Sequence, residues 1–125
     1  MENIQVQSSD NSFIFAYGTL MKGLGNHRLL EGQKFIANAI TSEKYAMFFS
    51  AVPFVNPNYS RNHILGEVWE VSPEALILLD KLEGHPDWYV RTPIKVNYSN
   101  GETGPEIAEI YFNRVISDED KELDV

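Results

Sequence analysis

The chain contains no cysteine, which excludes a disulfide scaffold, a thiol nucleophile, a redox dithiol and every cysteine-bound zinc site. Basic residues are also scarce, with 10 Lys and Arg against 18 Asp and Glu, for a formal net charge of -8. An acidic surface does not attract nucleic acid or an anionic membrane, so neither is expected as a partner. No window approaches the roughly eighteen consecutive apolar residues of a membrane span. The opening Met1-Glu2-Asn3-Ile4-Gln5 lacks the basic and apolar regions of a secretory signal. A cytoplasmic protein is expected. Phosphate-binding fingerprints are missing too: "GTLMKG" has neither the spacing nor the final Lys-Ser/Thr of a P-loop, and "GLGNHR" places Arg28 where a third glycine belongs. There is no Gly-x-Ser-x-Gly for a serine nucleophile. His27, His63 and His85 show no ligand spacing, and Asp118 and Asp120 lack the glycine and distal glutamate of a calcium loop. No metal site is expected.

What is present suits one small domain. At 125 residues and 43% hydrophobic content the chain supports a single core. A flexible start is expected over residues 1–12, the domain over 13–116, and a solvated acidic tail over 117–125, "SDEDKELDV". Phe13 to Ala16 form an apolar run of the kind found in a strand covered on both faces. Asn26 is placed to cap a short helix with Leu29 and Leu30 inward and Gly32 at its end. Strand character recurs over Phe35 to Ile40, Tyr45 to Phe49 and "ILGEVWEV" (residues 64–71), where Gly66 permits a bend or a close approach. "VPFVNPNYS" reads as turn-rich. "SPEALILLDKLEG" is the best helix: Ser72 caps it, Pro73 occupies its first position, Leu76, Leu79 and Leu82 supply an inward stripe, and Gly84 stops it. "WYVRTPIKVNY" and "IAEIYFNRV" read as strands joined across "SNGETGP", with Asn100-Gly101 as a two-residue hairpin signal. The fold class is therefore mixed α/β (α+β), a small twisted and barrel-like sheet with one or two short helices.

Two positions carry candidate chemistry. In "FAYGTL" the apolar run stops at Gly18 and Thr19, where a glycine turn either reverses the chain or aims backbone N–H groups into an anion-binding concavity. Glu83 closes the helix at its carboxyl end, where the helix dipole disfavours negative charge and a basic residue would be favoured. Burial beside Trp88 or Tyr89 would raise its pKa and suit it to proton transfer near neutral pH. Tyr17, Tyr89 and Tyr111 are further candidates to line a cavity.

Taken together, "FAYGTLMKG", "NHRLL", "ILGEVWEV" and "LDKLEGHPDWYVR" resemble the γ-glutamylcyclotransferase-like family, over about Phe13 to Phe112. Tyr-Gly-Thr-Leu followed by "NHRLL" is more similar to the γ-glutamylamine branch than to the glutathione-cleaving ones. The resemblance implies a small mixed α/β barrel in which the strand-end loop and the post-helix glutamate face one cavity. It implies a substrate loop at Tyr17, Gly18, Thr19 and Leu20 and a catalytic acid/base at Glu83, with Tyr89, Arg91 and Tyr111 in support. The implied reaction converts a γ-glutamyl amine, such as Nε-(γ-glutamyl)lysine, into 5-oxoproline and the free amine without a cofactor. Glutathione or another γ-glutamyl amino acid is the alternative substrate, and a noncatalytic γ-glutamyl-binding module is the alternative class.

Overall fold

The computed structural model describes residues 10–21, 27–50, 52–99, 101–117 and 120–123. Strands β1 (Ser12–Ala16), β2 (Lys34–Thr41), β3 (Ala46–Ser50), β4 (Val52–Asn56), β5 (Leu65–Val71), β6 (Val90–Tyr98), β7 (Ile107–Phe112) and β8 (Lys121–Leu123) form one sheet, with helix α1 (Pro73–Glu83) between β5 and β6. The order across the sheet is β1-β5-β2-β6-β7-β4-β3-β8. A parallel pairing of Ile14 with Glu109 joins β1 to β7 and closes the first five strands into a barrel. Strands β4, β3 and β8 extend outward from β7.

The apolar run that opens β1 is buried on both faces, as its pattern predicts. Phe15 points into the barrel with Val68, Ile94, Val96, Ala108 and Ile110. Ile14 and Ala16 point the other way and pack with Trp69, Val71, Ala75, Leu79 and Tyr111 beneath α1. Successive strand side chains alternate between faces, so a continuous apolar run is what a strand between two cores needs. Gly66 is the close approach anticipated for β5: a Cβ there would lie 2.5 Å from the Ala16 carbonyl oxygen and 2.5 Å from the Phe15 ring.

Helix α1 forms as its signals predict. The Ser72 hydroxyl accepts from the Ala75 N–H at 3.2 Å, Pro73 takes the first turn, and Gly84 adopts φ 67° as a left-handed cap. The inward stripe differs at one position. Ala75 and Leu79 are buried and Leu76 is partly so, but Leu82 is 39% exposed. The last turn of the helix runs past the apolar core and over a cavity.

Three further expectations are corrected. "VPFVNPNYS" is not simply turn-rich: Val52–Asn56 is a strand paired with β3, because Phe54 and Val55 are both buried and Pro53 lies near its start, where a missing N–H is tolerated. The acidic tail is not wholly loose, since Lys121–Leu123 pairs with β3 through Phe49, Phe48 and Met47; the otherwise unpaired edge of β3 supplies the backbone partners. β6 and β7 do pair, but the Val96 N–H donates to the Glu106 carbonyl at 2.9 Å and the strands end at Tyr98 and begin at Ile107, so the connection is longer than a two-residue turn. Gly101 has φ 76° there, while Asn100 lies outside the described residues. The short helix expected after "YGTLMKGLG" is present as a 3-10 helix, His27–Leu30, with Leu30 buried and Leu29 partly so; the expected cap, Asn26, also lies outside the described residues.

Candidate active site

The end of β1 answers the question that "FAYGTL" raises. Tyr17 is extended (φ -136°, ψ 168°), and Gly18–Leu20 then close a single 3-10 turn, with Met21 N–H donating to the Gly18 carbonyl at 3.1 Å. Gly18 has φ 59°, a conformation that costs a side-chain-bearing residue energy. The first N–H groups of such a turn, those of Gly18 and Thr19, have no partner inside it. Two side chains hold the turn in place. The Tyr17 hydroxyl donates to the Tyr111 carbonyl at 2.7 Å and accepts from the Val55 N–H at 3.1 Å. Nδ1 of His27 lies 3.2 Å from the Leu20 carbonyl oxygen.

Beside this turn lies a cavity of about 170 Å3 lined by Phe15, Tyr17, Leu20, Val52, Pro53, Leu82, Glu83, Trp88, Tyr89 and Tyr111. The deep wall is aromatic. Phe15, Tyr17, Tyr89 and Tyr111 are all buried. Glu83 enters from the last residue of α1, and the chain then folds back on it: Trp88 N–H donates to the Gly84 carbonyl at 2.8 Å and Tyr89 N–H to the Glu83 carbonyl at 3.2 Å. Glu83 is half-buried, and the loss of solvation raises its carboxyl from the usual value to about 7. Tyr89 is pushed up to about 12, first by burial and then by the Glu83 charge. Burial also drives Tyr17 and Tyr111 upward, so both keep their protons. The outcome is one titratable carboxyl near neutrality among phenols that stay neutral.

Sequence reasoning did not single out Asp80, which anchors this end of the helix. Its carboxylate takes a bidentate pair from Arg91, Nε at 2.9 Å and a terminal nitrogen at 3.1 Å, and accepts from the Tyr111 hydroxyl at 2.7 Å. Arg91 also reaches Glu109 at 2.8 Å. Arg91 and Tyr111 therefore act at this site by fixing α1 against β6 and β7, one turn of helix before Glu83. The Arg91 N–H donates to Nδ1 of His85 at 3.0 Å and ties down the loop that follows. The available signal was the spacing of Asp80 and Glu83, three residues apart and so on one helical face.

Burial alone would raise the Asp80 carboxyl, but the hydrogen bonds from Arg91 and Tyr111 outweigh it and hold the group below the usual carboxylate range. A depressed folded pKa stabilises the fold above the unfolded value and loses that stabilisation as pH falls through the folded one. Asp80→Ala is accordingly expected to cost about 2 kcal/mol at pH 7, because a charged, hydrogen-bonded pair loses one partner. Urea denaturation should show that cost shrinking toward pH 3, and an equal cost at both pH values would contradict the role given to the ion pair.

Among the described residues, no group of three or more His, Asp or Glu side chains is arranged to hold a metal ion. No helix of the described residues is long and apolar enough to cross a membrane.

Residues 14–124 match the model of the family described as gamma-glutamyl cyclotransferase, AIG2-like. The chain belongs to this family. Among its relatives, a provisionally named gamma-glutamylcyclotransferase of Methanocaldococcus jannaschii is 43% identical over 90 residues, covering 71% of this chain and 75% of that protein. Gamma-glutamylaminecyclotransferase B of Danio rerio is 39% identical over 109 residues, covering 78% of this chain and 57% of that protein, so the match spans little more than half of that relative. The crystal structure of an AIG2-like protein from Mus musculus superposes with a TM-score of 0.76 at 25% identity, covering 87% of this chain and 81% of that one. The barrel with one helix is thus the fold of the gamma-glutamyl cyclotransferase family. The cavity between the Tyr17–Leu20 turn and Glu83 is lined by two of the four segments that carry the sequence resemblance, "FAYGTLMKG" and "LDKLEGHPDWYVR", together with Val52, Pro53 and Tyr111.

Proposed function

We propose that this enzyme of the gamma-glutamyl cyclotransferase family releases 5-oxoproline from γ-glutamyl amines such as Nε-(γ-glutamyl)lysine, with Glu83 as the catalytic acid and base. The observation that carries the reading is Glu83 itself: a carboxyl near neutrality, at a helix end that disfavours its charge, facing an aromatic cavity beside a glycine turn.

The chemistry needs only proton transfer and geometry. The α-ammonium of the glutamyl unit gives a proton to the Glu83 carboxylate, and the freed amine attacks the γ-carbonyl carbon, forming the ring C–N bond and an oxyanion. Collapse of the oxyanion breaks the original amide C–N bond. Of the three ammonium protons one stays on the lactam nitrogen, and two pass through Glu83 to the departing amine. The substrate brings its own nucleophile, so no cofactor enters the balance. Holding the glutamyl chain in the folded geometry for ring closure contributes up to about 7–11 kcal/mol in favourable intramolecular cases. In this scheme the N–H groups of Gly18 and Thr19 bind the glutamyl carboxylate or the oxyanion, while the Leu20 N–H stays on the Tyr17 carbonyl at 3.4 Å and closes the turn, and Tyr17, Leu20 and Tyr89 shape the pocket around it.

Two results test the assignment. Incubation with Nε-(γ-glutamyl)lysine, with glutathione in parallel, should yield 5-oxoproline by mass spectrometry from the lysine compound. Product from glutathione alone would move the chain to the γ-glutamyl amino acid branch, and folded protein with no product from either would support a binding module. The pH dependence of kcat/KM should show an acid limb centred near 7, because the base must be ionised in the free enzyme and burial raises its pKa to about 7. A limb near 4.5 would mean that Glu83 is solvated in the working enzyme.

A further inference from the structure

Helix α1 buries one face and leaves the other bare. Ala75 and Leu79 sit in the core, whereas Ile77 and Leu78 are 57% and 52% exposed and Leu82 is 39% exposed. A single exposed aliphatic residue is ordinary on a protein surface. Three on one helix of 11 residues, two of them consecutive and near its middle, form a patch of the kind that another surface covers. Pro73, Glu74 and Lys81 are exposed as well and complete this side of the helix.

Glu74 and Lys81 flank the patch with opposite charges. Helix side chains meet at spacings of three and four residues, and for both of these the neighbours at that spacing toward the middle of α1 are Ile77 and Leu78. The two charges therefore do not pair with each other. Among the described residues neither has an ion-pair partner elsewhere.

The residues are arranged symmetrically about the midpoint between Ile77 and Leu78. Glu74 and Lys81 stand equally far from it on either side, and so do Pro73 and Leu82. An isologous contact requires such a pattern, because under a two-fold axis each residue meets the one at the opposite position and the patch must complement itself. Two α1 helices laid antiparallel across an axis at that midpoint set Ile77 against Leu78, Pro73 against Leu82 and Glu74 against Lys81, each pair occurring twice. The helix dipoles are then opposed as well, which favours the antiparallel order.

We propose that the bare face of α1 is a self-association surface, on which a second copy of this chain docks antiparallel about a two-fold axis between Ile77 and Leu78. The exposed parts of the six residues amount to roughly 500 Å2 per copy and about 1,000 Å2 for the pair, the lower limit for a specific interface. The dimer is accordingly reversible, with a Kd on the order of 10–100 μM. The net charge of -8 on each copy opposes association at long range, but at about 0.15 M salt the Debye length of roughly 8 Å screens that repulsion and leaves the contact pairs effective.

Sedimentation equilibrium of the full chain, from about 5 to 500 μM in about 0.15 M salt, reads the association. Glu74→Lys and Lys81→Glu each set like charges face to face at both pairs, so each alone is expected to weaken self-association about tenfold. An equimolar mixture of the two variants is expected to associate within about threefold of the wild-type affinity, because one copy then brings two lysines and the other two glutamates to the contact. Recovery on mixing has no source in altered stability or net charge. Amide shifts of 15N-labelled wild type supply a reading that needs no variant: those of residues 74–82 are expected to move with protein concentration and those of β8 to stay. A chain that remains monomeric throughout, a dimer indifferent to both reversals, or a mixture no tighter than its components would overturn the proposal. Shifts confined to β8 would also overturn it, in favour of pairing through the sheet edge.

Discussion

Glu83→Gln is expected to lower 5-oxoproline formation by about 10²–10⁴-fold, the range contributed by a positioned general acid or base, and at the same time to make the protein more stable at pH 8. The amide fills the space of the carboxyl but neither accepts the ammonium proton nor returns it. The stability gain follows from the raised pKa. Burial moves the carboxyl from 4.5 to about 7, so the folded state binds the proton more tightly than the unfolded chain. Wild-type stability is unaffected by this group below pH ~4.5 and falls as pH rises from there to ~7, where the buried carboxyl ionises. With partial solvent access discounted, the penalty at pH 8 is about 2 kcal/mol, equivalent to about 5–10 °C in Tm for a chain of this size. Thermal scans of both proteins at pH 4.5 and pH 8 measure the effect directly. Matching Tm values at pH 4.5 with a higher variant Tm at pH 8 are expected, and a variant less stable at both would mean that the carboxyl makes structural contacts instead.

Gly66→Ala is expected to be the most damaging small substitution in the sheet. The added carbon would sit 2.5 Å from the Ala16 carbonyl oxygen and from the Phe15 ring, and one of these is backbone that cannot rotate away. Overpacking of this kind costs about 1–3 kcal/mol or more, and the displaced groups matter for the site. Phe15 lines the cavity, and Ala16 leads into Tyr17 and the glycine turn. A fall of at least 2 kcal/mol in urea denaturation is expected, with a higher KM in the fraction that folds. Gly32→Ala is a useful contrast: its Cβ would meet nothing within 4 Å, so its cost should come from its φ of 80° alone and stay near 1 kcal/mol. Equal losses from both substitutions would show that backbone conformation, not the close approach to β1, limits Gly66.

Local signals in the chain were reliable where one residue type answers one local need. Ser72, Pro73 and Gly84 fix the two ends of α1 because each satisfies or removes an orphan backbone group or takes a left-handed angle. The run from Phe13 to Ala16 marked a strand buried on both sides, and the glycine after Tyr17 marked a turn. The strand at Val52–Asn56 was less legible, because proline and asparagine signal turns locally while burial of Phe54 and Val55 is a property of the assembled sheet. The same holds for Lys121–Leu123, whose charges look solvated until the free edge of β3 pairs with it. Leu82 fits the helical stripe by spacing, yet it is left at a cavity mouth because the core beneath α1 ends one turn earlier.

Composition and local pattern establish that the chain lacks thiol chemistry, that it is strand-rich with one or two short helices, and that two places, Gly18 and Glu83, depart from what local stability favours. Those departures are legible because backbone sterics and helix electrostatics are short-ranged. Tertiary structure alone decided that β1 pairs with both β5 and β7, that Asp80, Arg91, Tyr111 and Glu109 join in one network, and that the glycine turn and Glu83 line a single cavity. Residues 65 positions apart in the chain meet there because closure of the barrel places the end of β1 next to the end of α1. The raised pKa of Glu83 has the same origin, since desolvation depends on which groups surround the carboxyl in space and leaves no mark on its neighbours in sequence.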